Sequence, residues 1–231
     1  MKKIIALLLA LVSASVLAQG PQQFELVYRF TFNGQYVGNV TDRFKREGSQ
    51  YQLTSEARPD SALALLLPML TLTSEGDMKA QRFVPRRYQQ VRSNAPDKTV
   101  VADFDWQKKV LVHQYNGKSK QTALPDGTQD ALTQLYAFTL SGNLPPQLEF
   151  SVSNGRKLIS YRYEKLAGGR MDTPLGSFET VEYRRIVEQP DENAISVWIA
   201  PMLHHLPVRI RVREETGLFE QQLTQFNYKG T

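Results

Sequence analysis

Two of the three histidines in the chain stand side by side in "WIAPMLHHLPVRIRVRE", Trp198 to Glu214. Imidazoles hold zinc when three or four donors converge on one point. Neighbouring residues of a strand face opposite ways, so His204 and His205 meet one ion only if a corner bends them together and a third ligand joins. His113 alternates with Leu111 and Tyr115, which predicts a core imidazole bonded to a backbone group. No H-x-x-x-H or carboxylate-flanked spacing supports a metal. The pair reads instead as a turn between a strand ending at Ile199 and one beginning at Leu206, shaped by Pro201 and Pro207. No metal or other cofactor is expected.

Arg209, Arg211 and Arg213 share one face opposite Val208, Ile210 and Val212. Such a row can grip an anionic headgroup or a glycan. A solvated face paired with Glu179 and Glu182 of a nearby strand is the simpler expectation. Asp103 and Asp105 also share a face, as an acid–base pair would, but they border Trp106 and "QKK" and read as polar residues near a turn. "PDGTQD", Pro125 to Asp130, lacks the paired acids and terminal Glu of a calcium loop, so capping of a following helix is expected. There is no G-x-S-x-G, H-E-x-x-H, Walker loop or helix-opening G-x-G-x-x-G, and no enzymatic activity is expected.

The elements that position these residues are strands. In "FELVYRFTFN" the residues Phe24, Leu26, Tyr28, Phe30 and Phe32 alternate with Glu25, Arg29 and Thr31, and Asn33-Gly34 marks a hairpin turn. The return strand "QYVGNVTDRFKR" and "QYQLTSEAR" extend a meander. Further strands are read in "TVVADFDW", "KVLVHQYN", "QLEFSVSN", "KLISYRYEKL", "SFETVEYRRIVE", "AISVWI", "LPVRIRVRE" and "LFEQQLTQFNY". Turns are read at Asn154-Gly155, Gly168-Gly169, Pro190-Asp191 and Thr216-Gly217. Helical turns are expected in "DSALALLLPML", after Asp60 as N-cap, and around Leu132, Leu135, Tyr136 and Leu140. The fold class is therefore all-β with two short helices: a large curved antiparallel sheet, half-barrel or open barrel, with the helices in its concave side.

Residues 1–18 read as a cleaved export signal: Lys2 and Lys3, an apolar run from Ile4 to Val12 too short to span a bilayer, and Val16-Leu17-Ala18 before the cut. Residues 19–231 are read as a single periplasmic domain with no membrane span. The chain has no cysteine, so disulfides contribute nothing to it. Its 28 Lys and Arg against 23 Asp and Glu give +5, which falls to +3 without Lys2 and Lys3. Basic and acidic residues intermingle, which argues against nucleic acid as a partner. An outer-membrane barrel is the competing architecture. Against it, Asp42 lies in phase with Tyr36 and Val40, and Arg162 with Leu158, so a lipid-facing side would carry charges.

Four segments together carry a resemblance. "SEARPD" (Ser55 to Asp60), "QDALTQLYAF" (Gln129 to Phe138), "MDTPLGSFETVEYRR" (Met171 to Arg185) and "WIAPMLHHLPVRI" (Trp198 to Ile210) occur in an order that resembles the exported bacterial family domain of unknown function 3108. The resemblance covers nearly the whole mature chain. It implies a curved antiparallel sheet in a periplasmic protein, similar in outline to half-barrel envelope proteins that hold lipophilic cargo, and it implies no reaction. The chain departs from the family pattern at Met202 and at His204-His205.

Two functions are expected of this architecture. In the first, the concave face binds a lipophilic or envelope-derived molecule. Arg58 lies at its rim, Leu65 and Leu66 belong to a mobile lid, and Trp198, Arg209 and Arg211 are further binding residues. In the second, the helices fill the concavity, and an edge strand or the arginine row docks a protein of the envelope. The oligomeric state is open.

Overall fold

A computed structural model describes residues 21–60, 68–140, 144–189 and 193–230. The expected signal peptide, the lid leucines Leu65 and Leu66, and the Pro190-Asp191 turn lie outside the described residues.

The first eight strands are β1 (Gln23–Phe32), β2 (Gln35–Glu47), β3 (Gln50–Pro59), β4 (Leu70–Lys79), β5 (Arg82–Arg92), β6 (Val100–Asp105), β7 (Val110–Tyr115) and β8 (Lys118–Ala123). A connecting segment holds β9 (Gln129–Asp130) and the single α-helix of the described residues, α1 (Thr133–Tyr136). The remainder are β10 (Gln147–Ser153), β11 (Leu158–Thr173), β12 (Gly176–Arg185), β13 (Ala194–Ala200), β14 (Leu206–Glu214) and β15 (Gly217–Lys229). All fifteen form one sheet, ordered β8-β7-β6-β5-β4-β3-β2-β1-β15-β14-β13-β12-β11-β10-β9. Two antiparallel meanders are thus joined where the last strand returns to pair with the first. Only β9 runs parallel to its neighbour.

The alternation read in β1 is realised: Phe24, Leu26 and Tyr28 are buried. The Asn33-Gly34 turn has both residues at positive φ, +48° and +80°, the geometry whose twist suits a two-residue hairpin. Bends come from register shifts. One, opposite Phe30 and Thr31, inserts Val37 into β2 and puts Tyr36 on the face opposite Asp42, so the two are not in phase. A Cβ on neighbouring Gly38 would lie 2.2 Å from the Arg58 carbonyl oxygen, and one on Gly76 2.2 Å from that of Val84. At both places only glycine lets the backbones approach so closely.

Three readings from sequence are corrected. Gly168-Gly169 is no turn but a register shift inside β11; the chain reverses at Pro174-Leu175, between Thr173 and Gly176. The hairpin β4–β5, together with β8 and β9, is absent from the strands read in sequence. The helix around Leu132 to Leu140 shrinks to one turn, which tightens when the Thr139 amide bonds the Tyr136 carbonyl and the Thr139 hydroxyl donates to the His205 carbonyl. Its apolar spacing still serves, because Leu132, Tyr136 and Leu140 are buried.

The sheet curls until β10 comes against the concave side chains of β5–β7. The Ser153 hydroxyl lies 3.0 Å from His113 Nε2, and Gly155 packs so closely on Val100 and Tyr88 that a Cβ would reach 2.2 Å from Val100. Side chains, not a hydrogen-bonded ladder, bring the two ends together. The segment from β9 through Leu140 occupies the concavity, where Tyr136 stacks on Phe24 with centroids 5.2 Å apart, and Phe138 packs 4.6 Å from Tyr183.

Candidate functional site: the seam of the curled sheet

Most of the concave face is core. Open space remains at one end of the seam, as a cavity of about 740 Å³. The end of β4 contributes Lys79, β5 gives Arg82, Phe83 and Val84, and Trp106 comes from the turn after β6. Ala137 and Leu140 form the wall from the internal segment, and Leu148, Glu149 and Phe150 that from β10. The wall mixes these apolar side chains with Gln81 and Gln129, and Lys79, Arg82, Asp126 and Glu149 are exposed around the opening. A second hollow of about 460 Å³ shares Lys79, Val84 and Trp106 with it. Two side-chain donors take the place of a neighbouring strand beside β5: Trp106 Nε1 donates to the Pro85 carbonyl at 2.6 Å, and Gln129 Nε2 to that of Phe83 at 3.1 Å.

The segment lining this cavity is tied to the sheet through two buried carboxylates. The Tyr136 hydroxyl donates to Asp42 Oδ2 and lies 3.5 Å from the Tyr28 hydroxyl, which itself donates to the Pro207 carbonyl at 3.0 Å. Asp130 accepts the Ser74 hydroxyl at 2.5 Å on Oδ2 and the amides of Leu132 and Thr133 on Oδ1. The expected capping role at the end of "PDGTQD" thus falls to Asp130. Burial pushes both carboxyls up to about 6, against the opposing pull of their hydroxyl and amide donors. The same burial raises Tyr28, Tyr51 and Tyr136 well above the ordinary phenol range. These phenols donate hydrogen bonds and do not act as bases.

The residues singled out in the sequence lie elsewhere. Arg58 is on the convex face, not the concave rim, and ends an ion-pair ladder of Glu25, Arg43, Glu56 and Arg58. Trp198, Arg209 and Arg211 do come together, again on the convex face. The two guanidiniums stand 5.5 and 5.2 Å from the indole centroid, and both pair with Glu220, at 2.6 and 2.8 Å. The expected partners Glu179 and Glu182 are displaced because β14 has β15 as its other neighbour; Glu182 bonds Arg184. Burial works to raise the Glu220 carboxyl, yet the two guanidiniums hold it below its ordinary value.

His204 and His205 form the turn between β13 and β14, both at positive φ, and the His204 ring stacks on Tyr228 at 3.9 Å. His113 is buried as expected, but its partner is the Ser153 side chain, not a backbone group. Desolvation and, secondarily, Lys120 lower its pKa, favouring the neutral ring. Asp103 pairs with Arg87, and Asp105 accepts the Lys108 amide at the end of its strand. Among the described residues, no three His, Asp or Glu converge as metal ligands, and no helix is long and apolar enough to cross a membrane.

The cavity residues escaped sequence reasoning because most sit on the unrecognised β4–β5 hairpin or in turns. Its inward positions include Ser74 and Gly76, which dilute the alternation, and its turn is Ala80-Gln81, at φ +47° and +57°, in place of the usual Asn-Gly.

The chain belongs to the family described as Protein of unknown function (DUF3108), which matches residues 27–224. No curated protein matches it. Among solved structures, it is similar to a β-barrel-like protein of domain of unknown function DUF1849 from Brucella abortus. The alignment covers 92% of this chain and 100% of the other at 9% identity, with a TM-score of 0.54. A protein with a YmcC-like fold from Bacteroides fragilis aligns over 91% and 99% of the respective chains at 10% identity, with a TM-score of 0.31. The former likeness is one of fold alone.

Proposed function

We propose that this DUF3108 protein is a non-enzymatic binding module of the periplasm, and that the seam cavity is where it takes a lipophilic or envelope-derived ligand. The observation that carries the reading is the cavity itself. About 740 Å³ lies within the roughly 300–1,000 Å³ of small-ligand sites, and a wall that sets Phe83, Leu140 and Phe150 beside glutamines and exposed charges suits a ligand with both an apolar and a polar part. The export signal read in residues 1–18 supports the compartment. The location differs from the rim around Arg58 that the sequence suggested, because the concavity is occupied by the segment from β9 to Leu140.

The test is mass spectrometry of organic and acid extracts of the protein purified gently from periplasm, beside a control protein from the same fraction. A molecule enriched stoichiometrically, and lost from an Ala137→Arg variant that retains its fold by circular dichroism, is the expected result. An extract no richer than the control refutes the reading. The convex cluster favours a second reading, in which Trp198 between Arg209 and Arg211 docks an envelope protein. Arg209→Glu with Arg211→Glu then loses a crosslinked partner, and an unchanged partner set refutes that version.

A further inference from the structure

Along β10 the sheet stops short. Strand β9 pairs with β10 only at Val152 and Ser153. Before it, Pro125 to Thr128 form a turn, with the Thr128 amide on the Pro125 carbonyl and Gly127 at φ +75°, which peels the chain away from β10. Among the described residues, the outer edge of β10 over Gln147 to Ser151 therefore has no strand beside it, although its inner edge pairs fully with β11. That bare stretch is where Leu148, Glu149 and Phe150 line the seam cavity. An unpaired edge is a template for strand addition, and here it borders a hollow whose apolar liners Phe83, Leu140 and Phe150 can take alternate side chains.

Resting on the cavity as the binding site, we infer that its ligand is an extended polypeptide segment. It adds to the edge of β10 in line with β9, directs alternate apolar side chains toward Phe83, Leu140 and Phe150, and leaves its polar residues to the mouth. Main-chain hydrogen bonds to Gln147–Ser151 supply affinity that does not depend on sequence, and the hollow selects for apolar residues at every second position. Lys79 and Arg82 on one side of the mouth, with Glu149 also there, offer partners for charges of either sign flanking the segment. A lipid tail would fill the same hollow but leave the edge bare. The two ligand classes therefore leave different marks on the same amides.

Amide hydrogen exchange followed by NMR on the mature chain reads those marks. In the free protein, alternate amides of Gln147–Ser151 should exchange fast while those bonded to β11 are protected; uniform protection overturns the inference. The probe is a pool of octapeptides carrying Val, Leu or Phe at alternate positions. Its expected effect is slowing of the fast amides by about tenfold or more, abolished by N-methylation of the peptide backbone at every second residue. Dodecanoate is the parallel probe. Binding of dodecanoate without slowing of these amides, and no effect of the peptides, overturns the polypeptide inference and leaves the cavity reading standing. Failure of both probes, with the extracts clean, removes both.

Discussion

Asp42 is 2% exposed, and its burial has a measurable signature in pH. Its carboxyl rises from the ordinary 3.8 to about 6. Because the folded value lies above the unfolded one, the stability that Asp42 contributes as a neutral acid is complete below about pH 4. It is lost as pH rises through about 6. The displacement corresponds to about 3 kcal/mol at pH 8. Asp42→Asn keeps an acceptor for the Tyr136 hydroxyl and removes the charge. The assay is urea denaturation of both proteins from pH 4 to pH 8, taking the difference between them at each pH so that other titrating groups cancel. The expected difference grows in favour of the variant by about 2 kcal/mol across that range, mostly between about pH 4 and pH 6, the interval between the unfolded and folded values. A difference that stays flat, or that turns against the variant at high pH, would refute the assignment of a costly buried carboxylate.

Tyr136→Phe removes the phenol that donates to Asp42, and should cost about 1–3 kcal/mol in urea unfolding, more at pH 8 than at pH 5 because the unmet acceptor is then charged. Gly76→Ala sets a Cβ 2.2 Å from the Val84 carbonyl oxygen and should cost about 1–3 kcal/mol by shifting the β4–β5 bulge, seen as a lower melting temperature. Glu220→Gln leaves Arg209 and Arg211 without their shared carboxylate. Since all three side chains are partly solvated, the loss should stay within about 1 kcal/mol and shrink in high salt.

Alternation along the chain determined most of what is local. Phe24, Leu26 and Tyr28 against Glu25 and Arg29 specify a strand with one buried face whatever lies across from it. Asn33-Gly34 specifies its turn because both residues tolerate positive φ. The His204-His205 corner was legible from Pro201 and Pro207, which break the alternation on either side of it. What alternation does not encode is phase across a bulge or which strand lies next door. The register shift at Val37 moved Tyr36 to the other face, and the return of β15 to β1 gave Arg209 and Arg211 Glu220 as partner in place of Glu182. Asp42 looked in sequence like a charge that would disfavour a lipid face. Only the curl of the sheet, which brings Tyr136 over β2, made it a buried acceptor. The seam cavity belongs wholly to that tertiary level. It exists because β9 is two residues long and the sheet ends meet through side chains, and no local pattern in β5, β10 or the Trp106 turn records that they will stand together.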